Sequence, residues 1–246
     1  GRPSPDGRRV TLPDWLPELL AAVLASVVAI TLHEAAHGYA ALGLGDDTAK
    51  RMGRLSLNPI RHVDPVGTVL VPGVLLVGQL LTLGRVEGMF GWAKPVPVNL
   101  LALRDPRRGM MLVAAAGPLT NFALAWIAGL LAHPAAGLGG ILSPDSMAWV
   151  YRLLGLSILA NLVLGLFNLL PIPPLDGGRI VAGLLPARLA LPYMRLEPFG
   201  FLLVVGAVFL LPRVADGFDP VGWALRTVVA DGFDLVLTLS FHGGRA

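Results

Sequence analysis

Cysteine is absent from these 246 residues. That excludes disulfides and thiolate metal ligands, and leaves His and carboxylate groups for any metal. Charge is also scarce. Charged residues make up 14% of the chain, against about 25% in soluble domains. Hydrophobic residues reach 54% and the mean hydropathy is +0.69. Such a chain is expected to be an integral, polytopic membrane protein lying in a lipid bilayer. The net charge of +3 comes from 19 basic and 16 acidic residues. No basic stripe with interleaved aromatics accompanies it, so nucleic acid is not an expected partner. The excess reads as loop bias at a membrane surface.

Fourteen uncharged residues, Leu19 to Leu32, lead directly into His33-Glu34-Ala35-Ala36-His37. HExxH on a helix places two imidazoles one turn apart on one face, where both reach one zinc ion. The glutamate between them can act as general base on water at that metal. With five His in the chain, random placement would give this motif with a probability of about two in a thousand. The plain alternative is a pair of histidines satisfied by backbone or water. In an apolar span that alternative is costly, because three polar side chains would be buried without a purpose.

Apolar runs suggest spans near residues 15–44, 109–131 and 147–170, with a fourth plausible at Leu196 to Leu211. The first run could pass for a signal peptide, but it is long and carries the motif, so it is taken as a retained span. Val66 to Leu83 is interrupted by Pro72-Gly73 and is expected to be a re-entrant hairpin. Phe90 to Asn99 has strand character, with Pro95 and Pro97 confining it to an edge. The expected fold is an all-α polytopic bundle of about four to six transmembrane helices, with a re-entrant segment and a short membrane-associated β-hairpin. Its expected parts are a polar tail (1–14), a core (15–212) and a C-terminal apolar helix and tail (213–246).

Two histidines need a third protein ligand if one position is to stay open for water. Asp176 is the best candidate. It comes just after the third span, behind a proline run, and precedes two glycines that permit tight turns. A helix N-cap is its competing role. His33, His37 and Asp176 meet only if the first and third spans run parallel and the second runs opposite. Lys50, Arg51, Arg54, Arg61, Arg85, Lys94, Arg104, Arg107 and Arg108 then share one side, and the connector 133–146, without Lys or Arg, lies on the other. The positive-inside rule puts the active-site face in the cytoplasm, although Arg2, Arg8 and Arg9 count against it.

Three segments together resemble the site-2 protease family of intramembrane zinc metalloproteases, in its compact prokaryotic branch without a PDZ domain. They are His33 to His37, Ala116 to Asn121, and Asn168 to Gly177 with its Asn…Pro…Leu-Asp-Gly pattern. The resemblance implies one Zn2+ per chain held by His33, His37 and Asp176, with Glu34 as base and proton carrier. It implies that Asn168 helps stabilise the oxyanion, a role that suits a neutral donor near the metal. Asn121 and Asn161 are read as helix–helix contacts. The implied substrates are single-pass transmembrane proteins cut within or near their helices. Val96 and Val98 are expected to donate backbone N–H groups to a substrate strand, since Pro95 and Pro97 block the other edge. Two rivals are a non-proteolytic ion-binding or transport protein and an inactive helix-binding pseudoprotease. The first gives no reason for Glu34, and the second would usually have lost a ligand or the base.

Overall fold

A computed structural model describes residues 16–84 and 91–241. The polar tail expected at 1–14, Arg85, and the Phe90 end of the expected strand lie outside the described residues. Ten α-helices are described: α1 (Leu16–Gly43), α2 (Thr48–Arg51), α3 (Val71–Leu83), α4 (Pro106–Ala136), α5 (Pro144–Asn168), α6 (Asp176–Leu184), α7 (Ala187–Met194), α8 (Gly200–Val205), α9 (Leu211–Val214) and α10 (Pro220–Leu239). Three of them, α1, α4 and α5, are long and apolar enough to cross a membrane. The pair 187–199 and 202–208, bent by 78°, would make a fourth if it is one broken span. The protein is therefore a multi-pass helical membrane protein with three or four spans among the described residues, at or below the low end of the expected four to six.

The pattern of burial is that of a bundle in lipid. Leu19, Leu20, Val23 and Leu24 of α1 face outward, whereas the buried positions are small. On α1 the buried residues Ala21, Ala25, Ala29, His33, His37 and Ala41 recur every fourth residue. On α4 the buried residues Gly109, Val113, Gly117, Asn121, Ala125 and Gly129 do the same. Rows spaced by four lie on one helix face, and small side chains along them let two backbones approach closely. Contacts rise along α1 as they fall along α4: His33 meets Asn121 and His37 meets Val113. The two helices are therefore antiparallel. The Trp149 indole near the start of α5 donates to the Pro17 carbonyl at the start of α1, so α1 and α5 run parallel. Helix α10 packs Val236, Phe233 and Val229 against Ala125 and Ala128 of α4 and Ile158 and Leu162 of α5.

Two expected features differ. No hairpin bend occurs at Pro72-Gly73. A π-helical stretch, Pro65–Leu70, runs straight into α3. Pro72 falls where the π-helical stretch passes into α3, with helical backbone on both sides of the junction. No strand occurs among the described residues, so the β-hairpin is not formed there. Residues 91–99 form neither helix nor strand, and the first of them bond to helical turns. The Trp92 N–H donates to the Gly67 carbonyl and the Lys94 N–H to that of His62. Two such bonds to helical segments cannot continue as a ladder.

The bundle direction is testable because the chain has no cysteine. Single cysteines at Lys50 and Arg108 should react with an impermeant thiol reagent from one membrane face, and a cysteine at Gly139 from the other. Labelling of all three from one face would contradict the antiparallel pairing of α1 with α4.

Candidate metal centre

The rows on α1 and α4 meet at the HExxH motif. His33 and His37 face Gly117, and there is no room for a larger residue. A Cβ at position 117 would lie 2.6 Å from His33 Cε1 and from His37 Cε1 and Nε2. Pro118 is the next residue, buried inside α4. It cannot donate to the carbonyl four residues back, and its ring loosens the preceding turn. The Val113 carbonyl in that region accepts a hydrogen bond from His37 Nδ1–H at 2.7 Å.

His33 is oriented in the same way. Its Nδ1 lies 2.6 Å from Asn121 Oδ1. The Asn121 amide nitrogen points toward the Ala29 carbonyl (3.4 Å) and Asn161 Oδ1 (2.8 Å). A carbonyl can only accept, so Oδ1 is the atom turned to His33, and His33 Nδ1 carries the proton. Asn161 is held in turn by the Ser157 carbonyl. Both imidazoles thus donate through Nδ1 and present Nε2 lone pairs inward, the tautomer that a metal requires.

The third group arrives from α6. Asp176 is the first residue of that helix, and its cap position is Leu175. A residue one place inside the helix is not at the N-cap, so the competing capping role is not used. Gly177 and Gly178 bring this turn down onto the backbone of residues 169–173. A Cβ at 177 would lie 2.2 Å from the Leu169 carbonyl oxygen, and one at 178 would lie 2.7 Å from the Pro173 nitrogen. Asp176 is buried, with Oδ2 3.2 Å from His33 Nε2 and 3.3 Å from His37 Nε2, and the two Nε2 atoms are 3.1 Å apart.

These three atoms form a nearly equilateral triangle. Ligands at about 2.0 Å from a tetrahedral ion lie about 3.3 Å apart. The electrostatics point the same way. With both imidazoles neutral and protonated at Nδ1, two lone pairs and a carboxylate oxygen converge with no proton among them. Asp176 Oδ2 has no hydrogen-bond donor although it is buried. Such an arrangement is repulsive until a cation occupies its centre. The residues therefore fit a divalent metal, and three protein ligands leave the fourth position open.

Glu34 lies between the two histidines on α1 and is partly buried. Its Oε2 accepts a 3.0 Å hydrogen bond from the Val96 N–H. Val96 is 7% exposed, so it is not the open edge donor expected from the sequence. The N–H groups at 92, 94, 96 and 99 are engaged within the protein, and Pro95 and Pro97 have none. Val98 packs at the rim of a cluster of Ala41, Leu103 and Val113. Asn168, the last residue of α5, turns its amide nitrogen back onto the Leu164 carbonyl at 3.0 Å. Beside the site, α1 and α5 form an open groove of about 380 Å³, lined mostly by apolar residues, Ala22, Ala29, Ala160, Val163 and Phe167 among them.

Known proteins are similar to this chain. Residues 133–211 match Peptidase family M50. YwhC of Bacillus subtilis (strain 168), provisionally named a zinc metalloprotease, is 38% identical over 206 residues, covering 81% of this chain and 88% of that protein. The chain belongs to Peptidase family M50, the site-2 protease family. Two further relatives come from Mycobacterium tuberculosis, both provisionally named zinc metalloproteases. Rip2 is 34% identical over 153 residues, 61% of this chain and 52% of Rip2. Rip3 is 45% identical over 76 residues, 31% of this chain and 18% of Rip3. No solved structure is significantly similar. No PDZ domain is evident among the described residues of this M50 chain. Reading Asn121 as a helix contact alone missed its bond to His33. The available signal was its place in the four-residue row Gly109–Val113–Gly117–Asn121, opposite the row that contains both histidines.

Two substitutions separate ligand from support. Asp176→Ala should abolish stoichiometric metal in purified protein. Asn121→Ala should weaken metal affinity by about 10- to 100-fold, the usual cost of losing an outer partner of a ligand. Chelator competition measures both, and wild-type retention in Asp176→Ala would remove it from the ligand set.

Proposed function

We propose that this protein is an intramembrane zinc metalloendopeptidase that hydrolyses peptide bonds within or near the transmembrane helices of single-pass membrane proteins. The carrying observation is the convergence of His33 Nε2, His37 Nε2 and Asp176 Oδ2 inside a helical bundle, beside a glutamate on the same helix turn. Membership of a metallopeptidase family supports the reaction class, and the names of the relatives support zinc as the metal.

Zinc at this site would supply Lewis acidity, making water nucleophilic near neutral pH and polarising the scissile carbonyl. The protein residues do the rest. Asn121 and the Val113 carbonyl hold the two imidazoles in the productive tautomer. Glu34 takes the proton of the attacking water on its carboxylate and delivers it to the leaving amine. Asn168 is a candidate oxyanion donor, provided its amide turns from the Leu164 carbonyl toward the site. The docking role considered for Val96 would require that residue to release Glu34. A substrate helix hides its peptide bonds, so it must extend locally before attack. The largely apolar groove between α1 and α5 borders the turn that precedes His33, and suits an apolar segment.

Charge sets the orientation. Lys50, Arg51, Arg54, Arg61, Lys94, Arg104, Arg107 and Arg108 gather at the end of the bundle nearer the site, and we assign that end to the cytoplasmic face of the cell membrane.

Glu34→Gln keeps the size of the side chain and removes its basicity. It should retain zinc and the fold, and reduce cleavage of a transmembrane substrate in liposomes by at least about a thousandfold, in the upper range for loss of general base catalysis. Wild-type turnover in that variant would overturn the assignment.

A further inference from the structure

Residues 92–99 lie against the base, and they are tied down at both ends. At the first end, the Trp92 and Lys94 N–H groups donate to the Gly67 and His62 carbonyls at 3.1 and 2.8 Å. The Thr68 hydroxyl donates to the Trp92 carbonyl, and Arg54 donates to the carbonyl of Lys94. At the far end stands Asp46, which the metallopeptidase reading leaves without a role.

Asp46 lies just beyond the end of α1. Gly45 turns the chain there at φ +109°, a conformation that favours glycine. The Asp46 N–H closes the helix on the Ala41 carbonyl at 2.9 Å. Asp46 is 0% exposed. Oδ1 accepts from the Thr48 N–H at 2.9 Å, and Oδ2 accepts from the Asn99 N–H at 2.6 Å. Burial alone would push this carboxyl up. The hydrogen bonds from Thr48 and Asn99, with the Arg51 charge nearby, bring it below the usual carboxylate range. It is therefore an anion at neutral pH, and its hydrogen bonds are of the stronger, charge-assisted kind.

Between these two anchors lies Val96. Its side chain seats against Gly38 of α1, where an added Cβ would come 3.1 Å from Val96 Cγ1 and 2.9 Å from Leu55 Cδ1. Pro95 and Pro97 flank it with fixed φ angles, so the intervening chain has little freedom to absorb a shift at either end. Its N–H reaches Glu34 Oε2.

We propose that Asp46 is a positioning residue for the catalytic glutamate: by gripping Asn99, it holds residues 95–99 where the Val96 N–H fixes one oxygen of Glu34 and leaves the other to accept the proton. The proposal rests on the reading of Glu34 as the base. A base displaced by a fraction of an ångström loses rate without losing substrate affinity, because the error falls on the transition state.

The test has one arm that needs no activity. Hydrogen exchange of the detergent-solubilised protein reads the amides of residues 93–99 with little overlap, since Pro95 and Pro97 carry none. Asp46→Asn replaces one acceptor with a donor, and should raise exchange at Val96 and Asn99 while peptides from α4 and α5 stay at wild-type levels. Glu34→Ala should raise exchange at Val96 alone. In the second arm, Asp46→Asn should lower kcat by about 10- to 100-fold with KM and zinc content held. An ester analogue at Val96, which swaps only the N–H for oxygen, should reproduce the kcat loss even if Asp46→Asn folds poorly. Unchanged exchange at Val96 in Asp46→Asn, or wild-type kcat in the ester analogue, would overturn the proposal. If the wild-type protein shows no zinc-dependent cleavage, the protease reading fails, and the exchange arm still decides whether Asp46 holds Val96 against Glu34.

Discussion

The structure depends on how closely α1 and α4 approach at Gly117. No side chain separates this α4 backbone from the two imidazoles of α1. That proximity lets the Val113 carbonyl and the Asn121 amide reach the Nδ1 atoms, and it turns both Nε2 lone pairs inward. Small buried residues before and after the motif on α1, Ala29 and Ala41 among them, extend the row that carries the two histidines. In lipid there is no hydrophobic force between helices, so close packing and buried hydrogen bonds must supply the association. The same rows thus hold the bundle together and orient the two imidazoles.

Asp176 completes the site by another route. It sits on a short helix whose first turn lies directly on the loop before it, allowed by Gly177 and Gly178. Its Oδ2 is left buried without a donor, facing two nitrogen lone pairs. Folding places three mutually repelling acceptors within 3.3 Å of one another. A metal bound there would relieve that cost, and would then contribute to stability as well as to chemistry.

The segment at 91–99 shows how a loop becomes part of such a site. Two prolines stiffen it, helical turns fix one end, and a buried aspartate fixes the other. The donor between the prolines faces the glutamate. A β-hairpin is one way to hold an extended segment still. Here bonds to surrounding turns achieve the same rigidity without a strand.

Much of the site was legible in the unfolded chain. HExxH, a carboxylate before two glycines, the absence of cysteine and the apolar runs together specify a helical membrane protein with a His-His-Asp site. Each of those signals is local, or depends on composition alone. The sequence by itself did not decide whether the chain bends at Pro72 or continues as helix. A proline disfavours a helix interior without forbidding it, and which outcome prevails here is a tertiary matter. Nor did it decide whether 91–99 pairs as strands, since alternation cannot reveal that the neighbours are helical. Close packing at Gly117 was legible, but the bonds of Asn121 and Asp46 were hidden, because each reaches a residue dozens of positions away. Their meaning arises only where α1 and α4 meet, and where Asn99 returns to the end of α1. Local pattern determined which side chains could bind a metal, and long-range packing decided which atoms of those side chains face it.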